Sequence, residues 1–142
     1  MLMGTFNHSL DAKGRLIIPA RLREDLGENF IITKSPDRCL SVYPEEDWKR
    51  FIEKLDTLPK ISSEPARKLR RFYFANSSVL EVDKQGRILI PNNLREYASL
   101  SKDVTFIGVD DHVEIWDTAI WEQYNEDMDA GDIMYELNGI DL

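Results

Sequence analysis

An internal duplication constrains this chain more than any other feature. Residues 11–24 (DAKGRLIIPARLRE) align with residues 83–96 (DKQGRILIPNNLRE) at an offset of 72. Eight of the fourteen positions are identical: Asp, Gly, Arg, Ile, Pro, Leu, Arg and Glu. The exchanges Leu16/Ile88 and Ile17/Leu89 keep the apolar character. With one residue added to the second copy, the match runs on through Leu40/Val113, Val42/Ile115, Tyr43/Trp116, Trp48/Trp121 and Phe51/Tyr124. Two copies are too few for a solenoid. A unit of about 50 residues is also too small to bury an adequate core alone. The copies are therefore expected to fold against each other as a pseudo-two-fold pair. The 142 residues, 42% hydrophobic and 31% charged, suffice for one such core and argue against disorder.

Each copy reads the same way. A short strand (residues 6–10 and 79–82) enters an Asp-x-x-Gly turn, and a second strand follows (15–18 and 87–90). Gly14 and Gly86 supply the positive φ that such a turn requires. The triplets at 16–18 and 88–90 are apolar without alternation, which predicts strands buried on both faces. Pro19 and Pro91 stop these strands and suit the first position of a helix. A helix over 20–26 ends at Gly27. Strands over 30–33 and 40–43 flank the turn former Ser35-Pro36-Asp37, and strands over 104–109 and 113–116 flank Asp110-Asp111.

A helix then closes each copy. Residues 44–58 place Glu45, Glu46 and Asp47 in the first turn, where carboxylates favour the helix dipole. Trp48, Phe51, Ile52 and Leu55 form one apolar face, and residues 118–128 place Trp121, Tyr124 and Met128 similarly. Between the copies, residues 63–73 read as a further helix carrying Arg67, Lys68, Arg70 and Arg71. The tail after Gly131 is acidic with scattered apolar residues.

The net charge of −8 looks wrong for a nucleic-acid binder, but the average hides an asymmetry. Residues 1–75 hold 14 Lys+Arg against 11 Asp+Glu, whereas residues 76–142 hold 4 against 15. Such a division permits one basic face on an otherwise acidic protein. No apolar run approaches the roughly 18 residues of a membrane helix. The N-terminus lacks the apolar stretch of a signal peptide. A single cysteine, Cys39, excludes an internal disulfide and fits a reducing cytoplasm. One Cys and two His argue against a zinc site, and no cofactor motif is present.

The functional reading centres on Asp11-Ala12-Lys13-Gly14-Arg15. A tight turn projects Lys13 and Arg15 from a stiff hairpin, and Arg21 and Arg23 follow within one short helix. Cations at a hairpin tip suit phosphate neutralisation, and arginine can also fork onto guanine O6 and N7. A two-stranded ribbon fits the major groove. The second copy keeps Asp83, Gly86 and Arg87 but has Gln85 for Lys13 and Asn93 for Arg21, so the first copy is the better DNA face. A plainer account also fits: Asp-x-x-Gly is a self-bonding turn, and Asp11 could simply brace Arg15. The two roles can coexist.

Other residues carry less. The basic run 67–71 reads as a solvated helix face, the tryptophans as packing residues, and His8 and His112 lack nucleophile partners. No P-loop, G-x-G-x-x-G, G-x-S-x-G or H-E-x-x-H is present, so no catalytic set supports an enzyme.

The strings HSLDAKGRLIIPARLRE, LRRFYFA and DKQGRILIPNNLREYA together resemble the MraZ family of bacterial transcriptional regulators, over the chain to about residue 124. The resemblance implies an α+β fold in which two tandem AbrB-like modules interlock their swapped hairpins into one pseudo-two-fold barrel with flanking helices. The modules would span residues 5–47 and 76–119, with a helical connector at 48–75 and a C-terminal helix and acidic tail at 120–142. It implies a ring-shaped homo-oligomer, cytoplasmic and nucleoid-associated, that binds short direct repeats in double-stranded DNA. Those repeats lie in the promoter of the division and cell-wall gene cluster, which the protein would repress. Lys13, Arg15, Arg21, Arg23 and Arg87 are the expected DNA contacts, with Asp11, Gly14, Asp83, Gly86, Pro19 and Pro91 shaping the motif. An AbrB-like protein-interaction module of antitoxin type is the alternative, its partner held by the tail over 127–142.

Overall fold

Strands from the two copies interleave rather than form separate groups. In the computed structural model, which describes residues 1–141, the first copy supplies β1 (Leu2–Ser9), β2 (Arg15–Ile17), β3 (Phe30–Lys34) and β4 (Leu40–Pro44). The second supplies β5 (Ser78–Leu80), β6 (Arg87–Leu89), β7 (Asp103–Asp110) and β8 (Val113–Asp117). The helices are α1 (Ala20–Leu26), α2 (Glu45–Asp56), α3 (Glu64–Ala75), α4 (Asn92–Tyr97), α5 (Thr118–Glu126) and α6 (Ala130–Glu136). The last residue of the acidic tail lies outside the described residues.

Six strands form one antiparallel sheet in the order β1-β7-β8-β4-β3-β5, and β2 pairs with β6 in a separate ribbon. Exchanging the two copies leaves this order unchanged. The register obeys the same exchange: Phe30 faces Leu80 in one half, and Val104 faces His8 in the other. The central β4–β8 pair is symmetric about Ser41 and Glu114, and the ribbon is symmetric about Leu16 and Ile88. The chain is thus α+β, with its halves related by exchange.

Two expectations need correction. The sheet does not close into a barrel; β1 and β5 are its open edges. The ribbon strands are three residues each and are followed, one residue on, by Pro19 and Pro91. Proline has no N–H to give to a ladder, so these strands cannot extend to bridge the sheet edges. Nor is the ribbon buried on both faces: each strand runs half-buried, buried, exposed. Only Leu16 and Ile88 turn inward, so the ordinary period of two prevails over the apolar composition.

One core draws equally on both copies. Leu16, Ile18, Leu22 and Leu26 meet their counterparts Ile88, Ile90, Leu94 and Ala98, over Phe30, Ile32, Leu40, Val42, Val104, Phe106, Val113 and Ile115 from the sheet. β1 starts four residues earlier than the sequence suggests, because Leu2–Ser9 pairs with β7 along its whole length and Leu2 is buried. The turn glycines have the expected positive φ, 85° at Gly14 and 79° at Gly86. Pro19 and Pro91 stand at the N-caps of α1 and α4, one position ahead of the helix proper. Gly27 ends α1 with φ 77°, its N–H donating to Arg23 O at 3.1 Å.

The flanking helices pack through aromatics. Phe51 of α2 stacks on Tyr43 and meets Tyr73 of α3 edge-on at 4.8 Å. Trp121 and Tyr124 of α5 pack on the buried Trp116. α6 is exposed along its length. Among the described residues no helix is long and apolar enough to cross a membrane.

Leu16→Ala is expected to cost about 2–5 kcal/mol in urea unfolding, because it leaves a cavity between the copies. Ile17→Ala, one residue away on the open face, is expected to stay within about 0.5 kcal/mol.

Candidate nucleic-acid interface

The two turns are built to one pattern. Asp11 Oδ1 accepts the backbone N–H of Lys13 at 3.0 Å and of Arg15 at 2.8 Å. Its Oδ2 accepts Arg15 Nε at 2.7 Å. The Asp11 N–H donates to Arg15 O at 2.9 Å, and the Gly14 N–H donates to Asp11 O at 3.0 Å. Asp83 repeats the set, taking Gln85 N at 2.8 Å, Arg87 N at 2.9 Å and Arg87 Nε at 2.9 Å. One carboxylate therefore closes the turn and aims an arginine. The Arg15 amide above all, helped by its guanidinium and by the Lys13 amide, holds the Asp11 carboxyl below its ordinary value. The Arg87 and Gln85 amides and the Arg87 guanidinium do the same for Asp83.

Each arginine is tied through Nε only. Nη1 and Nη2 of Arg15 and Arg87 have no acceptor among the described residues. Both side chains are partly exposed, Arg15 at 33% and Arg87 at 25%. The register sets Arg15 opposite Leu89 and Ile17 opposite Arg87. Residues opposite each other, or two apart, share one face of a strand pair. The arginines of both copies therefore stand on a single outward surface. Arg87 of the second copy belongs to the same face as Arg15.

The copies also brace each other's turns. Ile18 N donates to Gly86 O at 3.0 Å, and Ile90 N donates to Gly14 O at 2.9 Å. Arg95 of α4 lies over Gly14, where a Cβ would collide with its guanidinium. Arg23 of α1 lies beside Gly86, 3.1 Å from where a Cβ would stand. The repeated Leu-Arg-Glu thus has a structural use: each copy's arginine covers the other copy's turn glycine. Sequence reading assigned Arg23 to DNA and missed Arg95, since the partner glycines lie 63 and 81 positions away.

Lys13 and Arg21 are exposed, with no carboxylate partner among the described residues. The basic run on α3 is largely absorbed internally: Arg67 donates to Ile61 O, Lys68 pairs with Glu64, and Arg70 pairs with Asp56 at 2.7 Å. His112 sits at the far β7–β8 turn, stacked on Tyr43 and bonded to Asp111 at 2.7 Å. No group of three or more metal-ligating side chains is present among the described residues.

Two outcomes test this geometry. Because the native Asp11 and Asp83 pKa values are lowered, the stability these groups add is present above the ordinary Asp value of about 3.9. It is lost as pH falls through their native values. In carboxyl NMR titration, Arg15→Ala should raise the Asp11 pKa only part of the way back, because the leading cause, the residue 15 amide, remains. Gly14→Ala and Gly86→Ala should each cost at least about 1 kcal/mol for the left-handed backbone. Gly14→Ala should cost more in thermal unfolding, and Arg95→Ala should relieve part of the excess.

The family model described as "MraZ protein, putative antitoxin-like" matches residues 1–72 and again residues 73–134. Proteins named transcriptional regulator MraZ are close in sequence. That of Thermoanaerobacter sp. (strain X514) is 54% identical over 92% of this chain and 90% of its own length. That of Desulforamulus reducens is 49% identical over 100% and 99%, and that of Heliobacterium modesticaldum is 55% identical over 89% and 87%. With its duplicated turn matched twice over and its length covered end to end, this chain belongs to the MraZ family.

Proposed function

We propose that this chain is a transcriptional regulator that binds short direct repeats in double-stranded DNA with the outward face of the β2/β6 ribbon. The observation that carries this reading is the tethered guanidinium. Asp11 holds Arg15 by Nε and leaves both terminal nitrogens of this partly exposed side chain without an acceptor among the described residues. A guanidinium fixed this way presents two parallel donors, the geometry that guanine O6 and N7 accept. The names of the relatives, transcriptional regulators, point the same way.

In this reading Arg15 and Arg87 address base edges, and Lys13 and Arg21 neutralise phosphates. Asp11 and Asp83 orient, while Gly14, Gly86, Pro19 and Pro91 keep the turns tight. Arg23, exposed beside the Gly86 turn, adds a further cation for DNA at the edge of the same surface. Residues 5–47 and 76–119 act as two AbrB-like modules whose swapped hairpins pack as one pseudo-two-fold unit. The segment 48–75 connects them, and residues 120–142 extend beyond. One face brings few cations, so useful affinity requires several copies. A ring-shaped homo-oligomer supplies them by effective concentration, and head-to-tail assembly matches direct rather than inverted repeats. The target is the promoter of the division and cell-wall gene cluster, which the protein represses, in the cytoplasm at the nucleoid. It acts without catalysis, metal or cofactor. An antitoxin-type interaction is the second reading, favoured by the exposed α6 with Ile133, Met134 and Tyr135 and by Leu137 at its C-cap.

Fluorescence anisotropy with a duplex from the protein's own upstream region provides the test. Arg15→Ala should cost about 1–3 kcal/mol per engaged contact and leave sedimentation unchanged. Binding that ignores the substitution, or recovery of a stoichiometric protein partner with no DNA affinity, would reject the reading.

A further inference from the structure

The outward ribbon face holds two large apolar side chains where an ordinary solvated strand would carry polar ones. Ile17 is 48% exposed and Leu89 is 58% exposed. Neither is needed for the core, since Leu16 and Ile88 fill the inner face at 0% and 1% exposure. Their neighbours on the open face are the two tethered arginines, Arg15 opposite Leu89 and Arg87 opposite Ile17. The four side chains make a square with arginines on one diagonal and aliphatic groups on the other.

A second acidic copy, −8 in formal charge, is a poor partner for this square. A polyanion that also offers an apolar group suits it better. Lys13 and Arg21, unpaired by carboxylates among the described residues, add exposed positive charge in the turn before β2 and the helix after it. In the major groove, the apolar group on a base edge is the C5-methyl of thymine. Opposed residues of a strand pair stand about 4.5–5.5 Å apart at Cβ. Bases along one DNA strand rise by about 3.4 Å. An arginine and the aliphatic side chain opposite it therefore reach neighbouring base pairs.

We propose that Ile17 and Leu89 are specificity-determining residues, each packing on the C5-methyl of a thymine next to the guanine addressed by the arginine opposite. The inference rests on the ribbon's being the DNA face and adds a second chemical class to what it reads.

The test uses the full chain and a duplex it selects from a random pool. An otherwise identical duplex carries deoxyuridine for thymine and so lacks only the methyl groups. Affinity should fall about fourfold for each contacted methyl. Ile17→Ala and Leu89→Ala should weaken binding to the thymine duplex by a similar factor and blunt the response to deoxyuridine. Equal affinity for the two duplexes, with discrimination from an unrelated sequence intact, overturns the inference and leaves DNA binding standing. So does a deoxyuridine penalty that both variants keep in full, since the methyl then acts through DNA shape. A change in sedimentation with unchanged DNA affinity would reassign the face to contacts between copies. Failure to select any duplex would overturn the underlying reading as well.

Discussion

Leu16 and Ile88 meet at the middle of the ribbon, both essentially excluded from water, and through them the two copies become one structure. Each ribbon strand has only three residues, too few for its hydrogen bonds to sustain it alone. Burial of the inner face supplies what the ladder cannot. The same contact fixes register, so every outward side chain follows from it. Slipping the pair by one residue would turn Arg15, Ile17, Arg87 and Leu89 into the core. The hydrogen bonds that the Ile18 and Ile90 N–H groups donate to the Gly86 and Gly14 carbonyls lock the same alignment from both ends.

Electrostatics are arranged around that frame. Cations elsewhere are mostly consumed locally, as Arg70 is by Asp56 and Arg50 by Asp47. At the ribbon, an acid is spent on orientation rather than neutralisation. Asp11 and Asp83 take most of their hydrogen bonds from backbone amides and only one from the guanidinium. The carboxylate thus works first as a turn-closing group, and the arginine keeps most of its donors.

Much of this was legible in the residues. The duplication announced a paired fold, Asp-x-x-Gly announced the turns, and the helix and strand ends at Gly27, Ser63 and Lys34 fall within a residue or so of their expected places. What stayed hidden depends on contacts between copies. The apolar triplets implied two buried faces, yet Ile17 and Leu89 are open, because burial is decided by which strand lies alongside. The pairing of Arg95 with Gly14 and of Arg23 with Gly86 leaves no local trace. Sequence showed that Leu-Arg-Glu recurs but not what it touches. The length of β1 was missed for a related reason: its alternating polar residues form a strand only beside β7.

Covalent fusion of the halves has an effect that a pair of separate identical chains could not achieve. Two identical subunits must change together, so their shared surface looks the same from either end. Here Lys13 faces the world on one side and Gln85 on the other, Arg21 on one side and Asn93 on the other. A rod-shaped ligand laid across this surface has a preferred heading, and the molecule acquires a polarity that its backbone symmetry alone would forbid.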